Sequence, residues 1–130
     1  MDVEYKTPGM LVDEWITALL KQRAMPSEEN TQRVVALNRA LNARVGERGA
    51  DIIDLIEQLK NVLAACWDAQ EITNRYRDID YDTLPMEDLI IIARAGREAQ
   101  TTNAQRNRLI REIDARLGAS GATPLEKTYG

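Results

Sequence analysis

The chain contains no histidine. That absence removes the commonest general base near neutral pH and the commonest metal ligand. Its single cysteine, Cys66, excludes an intrachain disulfide. One thiol without any imidazole is too few ligands for a structural zinc site. Phenylalanine is missing too, and aromatics total 5% of the chain. The core must therefore be aliphatic, built from Leu, Ile, Val and Ala. No apolar run reaches the length of roughly 18 residues that a membrane span needs. The opening, Met1 to Lys6, is polar and acidic, unlike a secretory signal. These features predict a cytoplasmic protein with no membrane partner. The net charge of -4 gives little to neutralise phosphates, so nucleic acid is not expected as a partner either. There is no phosphate-binding Gly-rich loop, no dinucleotide fingerprint and no nucleophile elbow.

What is present reads as helix. The 130 residues suit one domain with a core of its own, spanning 1–130. Thr7 and Pro8 open a first helix, since Thr caps well and Pro fits the first turn. Leu11, Val12, Trp15, Ile16, Leu19 and Leu20 follow at helical spacing, and Pro26 stops the run. Ser27 caps a second helix from about Glu28 to Val45, with Val34, Leu37, Leu41 and Val45 as its stripe. Gly46 and Gly49 bracket a turn. A third helix is expected from near Asp51 to about Arg77, with Ile52, Leu55, Ile56, Leu59, Val62, Leu63 and Cys66 on one face. A fourth begins near Pro85 and runs to Leu117, its early stripe being Met86, Leu89, Ile90 and Ile92, with Gly118 as the stop. The predicted fold is all-α: an antiparallel bundle of about four helices, two of them long. The tail 119–130 is expected to be irregular in structure.

Both long helices change character along their length. Past Cys66 the third continues as Trp67, Gln70, Thr73 and Asn74. Continuing the line of Leu89, Ala93 and Gly96, the fourth carries Gln100, Asn103 and Asn107, with Arg106 alongside. Each buried polar group left unsatisfied costs roughly 1–3 kcal/mol. Such residues pair with one another and fix register, face water, or line a polar pocket. On the first helix Asp13, Thr17 and Lys21 share a face. They are either an exposed polar stripe or the mouth of that same pocket. Arg94, Arg97, Arg106, Arg108, Arg111 and Arg116 allow one local basic face, though Glu98, Glu112 and Asp114 are interspersed.

Three segments together resemble a known pattern. They are Thr7-Pro8-Gly9-Met10-Leu11-Val12-Asp13 with Lys21 following; Cys66-Trp67-Asp68-Ala69-Gln70-Glu71; and Asn103-Ala104-Gln105-Arg106 leading to Leu117-Gly118 and Glu126-Lys127-Thr128-Tyr129. Their order and spacing resemble a family of small uncharacterised helical proteins of bacteria and phages. Its members open with Pro-Gly-Glu-Leu-Ile-Asp-Lys, carry a central Leu-Trp-x-x-Glu-Asp and an Asn-x-x-Arg, and close on Glu-Lys-Ser-Tyr. The resemblance marks Gly9, Asp13, Lys21, Trp67, Glu71, Asn103, Arg106, Glu126, Lys127 and Tyr129, and implies a tail packed on the bundle. It departs at Met10, Glu14 and Gln70. The family's association with surface-polysaccharide functions implies no activity that can be carried over.

Three functions compete. The first is a binding or adaptor module without chemistry of its own and without a cofactor. It would take an anionic metabolite such as a nucleotide or nucleotide sugar at Asp13, Lys21, Trp67, Gln70, Glu71, Asn103, Arg106, Lys127 and Tyr129. Arg supplies forked phosphate contacts and Trp can stack on a ring. The second is a structural protein in which Ile90 and Ile91 support a homodimer. The third is an all-helical Mg²⁺-dependent nucleotide pyrophosphohydrolase using Asp13, Asp68, Glu71 and Asp114.

Overall fold

The computed structural model describes residues 6–118, and its regular elements among them are all helices. Helix α1 is Pro8–Ala24 and α2 is Glu28–Val45. A 3₁₀ segment, Gly46–Ile52, leads into α3, Ile53–Arg75. A short 3₁₀ turn, Tyr81–Thr83, precedes α4, Met86–Arg116. The third helix was expected from Asp51; the glycine turn instead winds as 3₁₀ up to Ile52.

Local chemistry sets the ends. The Thr7 hydroxyl accepts from the Met10 N–H at 3.1 Å, and Ser27 accepts from the Asn30 N–H at 3.0 Å. Each satisfies a donor that the helix itself leaves unpaired. At the far end of α4, Arg48 Nη1 donates to the Leu117 carbonyl at 2.8 Å. Gly118, at φ 72°, turns the chain out of the helix there.

The core joins α1, α3, α4 and the 3₁₀ segment. Val12, Ile16, Ile52, Leu55, Leu59, Leu109 and Ile113 are its fully buried side chains. Helix α2 contributes one buried residue, Leu41, and packs as an outer layer on α1. Trp15 rests against this core with the Lys60 ammonium 5.7 Å from its ring centre. Helices α3 and α4 form the most extensive pair. They run antiparallel, with Arg116 bonded to Asp54 at one end and Tyr76 to Asp88 at the other. At 1.5 Å per residue α4 is about 46 Å long and α1 only about 26 Å. The α3–α4 hairpin therefore projects beyond α1.

Helix α4 corrects its expected stripe. The inward line is Ile92, Ala95, Ala99, Thr102, Arg106, Leu109 and Ile113, in alternating steps of three and four. Met86 is 69% exposed and Ile90 is 43% exposed. Of the expected stripe, Leu89 and Ile92 are half-buried while Met86 and Ile90 are not; with three isoleucines in succession, packing against α3 kept Ile92 and left Ile90 outside. Thr102, buried in this line, satisfies its hydroxyl by donating to the Glu98 carbonyl at 2.8 Å.

The Tyr76 hydroxyl donates to Asp88 Oδ1 at 3.2 Å and closes the hairpin end. Partial burial, and then this hydrogen bond, push the phenol above its ordinary value. A raised value favours the folded state while the phenol is protonated. That contribution is present below the unfolded value of about 10 and is lost as pH rises through the higher folded one. Phenolate absorbance should therefore show one tyrosine ionising late, and Tyr76→Phe should remove that late phase. A Tyr76→Phe curve that keeps a late phase would assign it elsewhere.

Candidate functional site

The polar residues that matter most join α1 to α4. Asp13 lies 5% exposed on α1, a position that a bare carboxylate could not hold. Arg106 supplies the fork it needs: Nε donates to Oδ1 and Nη2 to Oδ2, both at 2.6 Å. These hydrogen bonds hold the guanidinium above its ordinary value, against the opposing effect of burial. It stays charged at any working pH.

About two turns along α4, Asp114 makes the second half of the joint. Helix α1 has no acid in its own first turn. Asp114 supplies one from α4, Oδ1 accepting the Gly9 N–H at 2.7 Å. A carboxylate at a helix N-terminus meets both an unpaired donor and the positive end of the helix dipole. Gly9 makes the approach possible: a Cβ there would stand 2.4 Å from the Ile110 carbonyl oxygen. The sequence reading missed Asp114 in this role. The signal was a Pro-Gly opening to a helix with no acid of its own.

The expected site residues separate into groups. Asp13, Lys21 and Arg106 line one cleft of about 430 Å³ with Glu14, Glu29 and Arg33. Asp13 and Arg106 neutralise each other there, and Glu14 is ion-paired with Lys6. Lys21, Arg33 and Glu29 remain exposed, leaving one surplus positive charge. An anion entering would also meet Glu14 Oε2, enclosed without a hydrogen-bond partner among the described residues.

Trp67, Gln70 and Glu71 lie elsewhere, on α3. Trp67 is half-buried, and its Nε1 donates to Glu71 Oε1 at 3.0 Å. Gln70, Asn74, Gln100, Asn103 and Asn107 are exposed. They therefore do not line a bundle interior. Gln70 stands one heptad beyond buried Leu63, past the part of α3 that the last turns of α1 border at Lys60, Asn61 and Ala64, whereas Asn103 lies level with that part but on the exposed side of α4. Lys127 and Tyr129, with the tail contact they implied, lie outside the described residues.

The four acids of the hydrolase reading do not converge. Asp13 and Asp114 are committed to the joint, and Asp68 and Glu71 are exposed on α3. No three acidic or thiol groups gather into a metal-holding set among the described residues. Of the α4 arginines, Arg106 turns inward and Arg116 pairs with Asp54 at 2.6 Å. Arg94, Arg97, Arg108 and Arg111 are exposed and share an arc of roughly 100° on the helix surface, with Glu112 at its edge.

The outward face of the α3–α4 hairpin, away from α1, is different in kind. Along α3 its heptad line runs Asp54, Gln58, Asn61, Ala65, Asp68, Ile72; along α4 it runs Ile91, Arg94, Glu98, Thr101, Gln105, Arg108, Glu112. The half nearest the core is polar. The half toward the hairpin end is an apolar groove of about 470 Å³, floored by Ala69 and Ala95 and walled by Ile72 and Ile91. Ile79, Tyr81, Met86, Ile90 and Ile91 are all exposed at this end.

No helix among the described residues is long and apolar enough to cross a membrane. Comparison with family models, with curated proteins and with solved structures finds no match to this chain.

Proposed function

We propose that this chain is a docking module without chemistry of its own, an adaptor acting in the cytoplasm through the outward face of the α3–α4 hairpin. One observation carries the reading. Toward the hairpin end the polar line of this face gives way to half-buried Ala65 and Ile72 on α3 and exposed Ile91 on α4, over a buried floor of Ala69 and Ala95 and between Asp68, Arg94 and Glu98. Contiguous exposed apolar surface rimmed by charge marks an interaction site. The polar candidates support the same reading, because Asp13, Arg106 and Asp114 are occupied in holding α1 on α4. If so, the resemblance at Gly9, Asp13 and Arg106 reports a shared joint rather than a shared pocket.

A photo-crosslinking side chain tests the assignment. Placed at position 91 it is expected to give a defined protein adduct in cells, and placed at Gln105, on the polar half of the same face, to give none. Ile72→Glu should suppress the adduct at 91. Equal labelling at both positions, or no labelling at 91, would sink the reading.

The cleft at Lys21 and Arg33 supports a second reading through its surplus positive charge: a weak site for a phosphorylated metabolite. Under that reading nucleotides or nucleotide sugars raise the melting temperature. The rise is lost in Lys21→Ala, Arg33→Ala.

A further inference from the structure

We propose that the step where α1 ends along α3 binds an amphiphilic anion, a carboxylate carrying an aliphatic chain. This site lies apart from the hairpin groove and goes beyond the docking reading. A cleft of about 440 Å³ opens at the step. That volume falls within the range of small-molecule sites, roughly 300–1,000 Å³. Its floor is apolar: Ile16 is buried, and Leu19, Leu20 and Ala64 are half-buried. The α1 wall, from Ile16 to Arg23, runs about 10 Å at roughly 1.5 Å per residue. A floor of aliphatic side chains over that length suits a short aliphatic chain.

The polar part of the wall selects the charge of the head group. Gln22 and Arg23 come from α1, Lys60 and Asn61 come from α3, and no acid lines the cleft. The hairpin groove and the Lys21–Arg33 cleft, by contrast, both have acids in their walls. Two cations thus converge from two helices on one apolar floor. Arg23 makes no ion pair among the described residues. The Lys60 ammonium lies 5.7 Å from the Trp15 ring centre, a contact that holds its stem beside the cleft. Negative groups stand only at the margins. Glu57, one turn back on α3, reaches Lys60 at 3.7 Å, but the two side chains are 65% and 41% exposed. A pair so open to water is worth little. Asp68, one turn past Ala64, lines the hairpin groove instead. The negative end of the α1 dipole is offset by Lys21 and Arg23 in the last turn. An anionic head between Arg23 and Lys60 accepts charge-assisted hydrogen bonds from both, with the amides of Gln22 and Asn61 as further donors. A cationic head would meet like charge there.

The cleft is open to water and its surplus of positive charge is small. A single short chain is therefore expected to bind weakly, with Kd on the order of 1 mM.

Octanoate titrated into the isotope-labelled full chain at about pH 7, where the carboxylate is ionised, tests the assignment through amide chemical shifts. Shifts are expected at Ile16, Leu19, Leu20, Asn61 and Ala64, and not at Ile72, Ile91 or Ala95 of the hairpin groove. Octanol has the same chain without the charge and should bind at least about fivefold more weakly; octylammonium should bind more weakly still. Arg23→Met and Lys60→Met keep an apolar stem and remove the charge. Each should weaken octanoate about threefold or more, leave octanol within about twofold, and keep the helical signal. Octanol binding as tightly as octanoate, or octanoate unaffected in both variants, shows apolar contact without recognition of the head group and overturns the proposal. So does a shift pattern centred on the hairpin groove, or no shift up to about 10 mM octanoate. None of these outcomes bears on the crosslink at position 91, which tests the docking reading by itself.

Discussion

Arg106→Leu is expected to cost about 3–5 kcal/mol of folding stability, because it strands the Asp13 carboxylate in a buried site with no partner. Asp13→Ala should cost less, about 1–2 kcal/mol, on the scale of a lost hydrogen bond to a charged group. The asymmetry comes from exposure. The Asp13 side chain is 7% exposed, while that of Arg106 is 34% exposed and keeps contact with water when its partner is removed. The double replacement, Asp13→Leu with Arg106→Leu, should recover most of the loss, since neither charge is then buried alone. Urea unfolding followed by helical circular dichroism measures all three. A loss under about 1 kcal/mol for Arg106→Leu, or an Asp13→Ala as damaging as Arg106→Leu, would show that the fork holds nothing in place.

Gly9→Ala is the second large effect, expected at about 3–5 kcal/mol from overpacking together with a weakened charge-assisted hydrogen bond. A Cβ at Gly9 would lie 2.4 Å from a backbone oxygen of α4 and 3.0 Å from Asp114 Oδ1. Backbone on both sides cannot give way as a flexible side chain would. Helix α1 must therefore move off α4, which stretches the Gly9–Asp114 contact and disturbs the Asp13–Arg106 fork one turn along. Gly96→Ala is the internal comparison. Gly96 sits inside α4 with nothing within 4 Å of the added carbon. Removing a helix-interior glycine there should stabilise by about 0.5–1 kcal/mol. If both replacements shift the urea midpoint alike, the close approach at Gly9 does not limit packing.

These two predictions bear on how the fold is specified. The aliphatic core alone would let α1 slide along the α3–α4 hairpin, since Leu, Ile and Val make contacts of similar kind at neighbouring registers. The fork and the Gly9 contact fit at one register only. Fixing register is the best-attested use of a buried polar pair. The same contacts explain why α1 lies on the half of the hairpin nearest Ile113 and leaves the other half open.

The helices were legible in the sequence because their signals are local. Thr7 with Pro8, Ser27, Pro26, Gly46, Pro85 and Gly118 mark boundaries through the backbone geometry each residue allows, and the structure places its elements within about two residues of those marks. The stripe of α3 was legible for a similar reason: Ile52, Leu55, Leu59 and Leu63 repeat in one phase along the helix, while Ile53 and Ile56 offer a neighbouring phase over one turn before Lys60 breaks it. The phase of α4 was not, because Ile90, Ile91 and Ile92 suit three phases and only contact with α3 selects one. Arg106 stood beside a polar line in the sequence, but whether it faced a pocket, water or an acid was not legible there, since an arginine in a seam looks like an arginine on a surface until its acid is known.

By itself, then, the sequence determined an all-α protein with an aliphatic core, no disulfide and no histidine chemistry, because composition and short-range periodicity carry that information within a few turns of helix. Tertiary structure alone decided which acid meets Arg106, that Asp114 serves the start of α1, and that Gln70 and Asn103 face water. It also decided which half of the hairpin's outward face becomes a groove. Each of these depends on the relative placement of helices far apart in the chain, and helical spacing within one segment says nothing about what a second segment will bring to meet it.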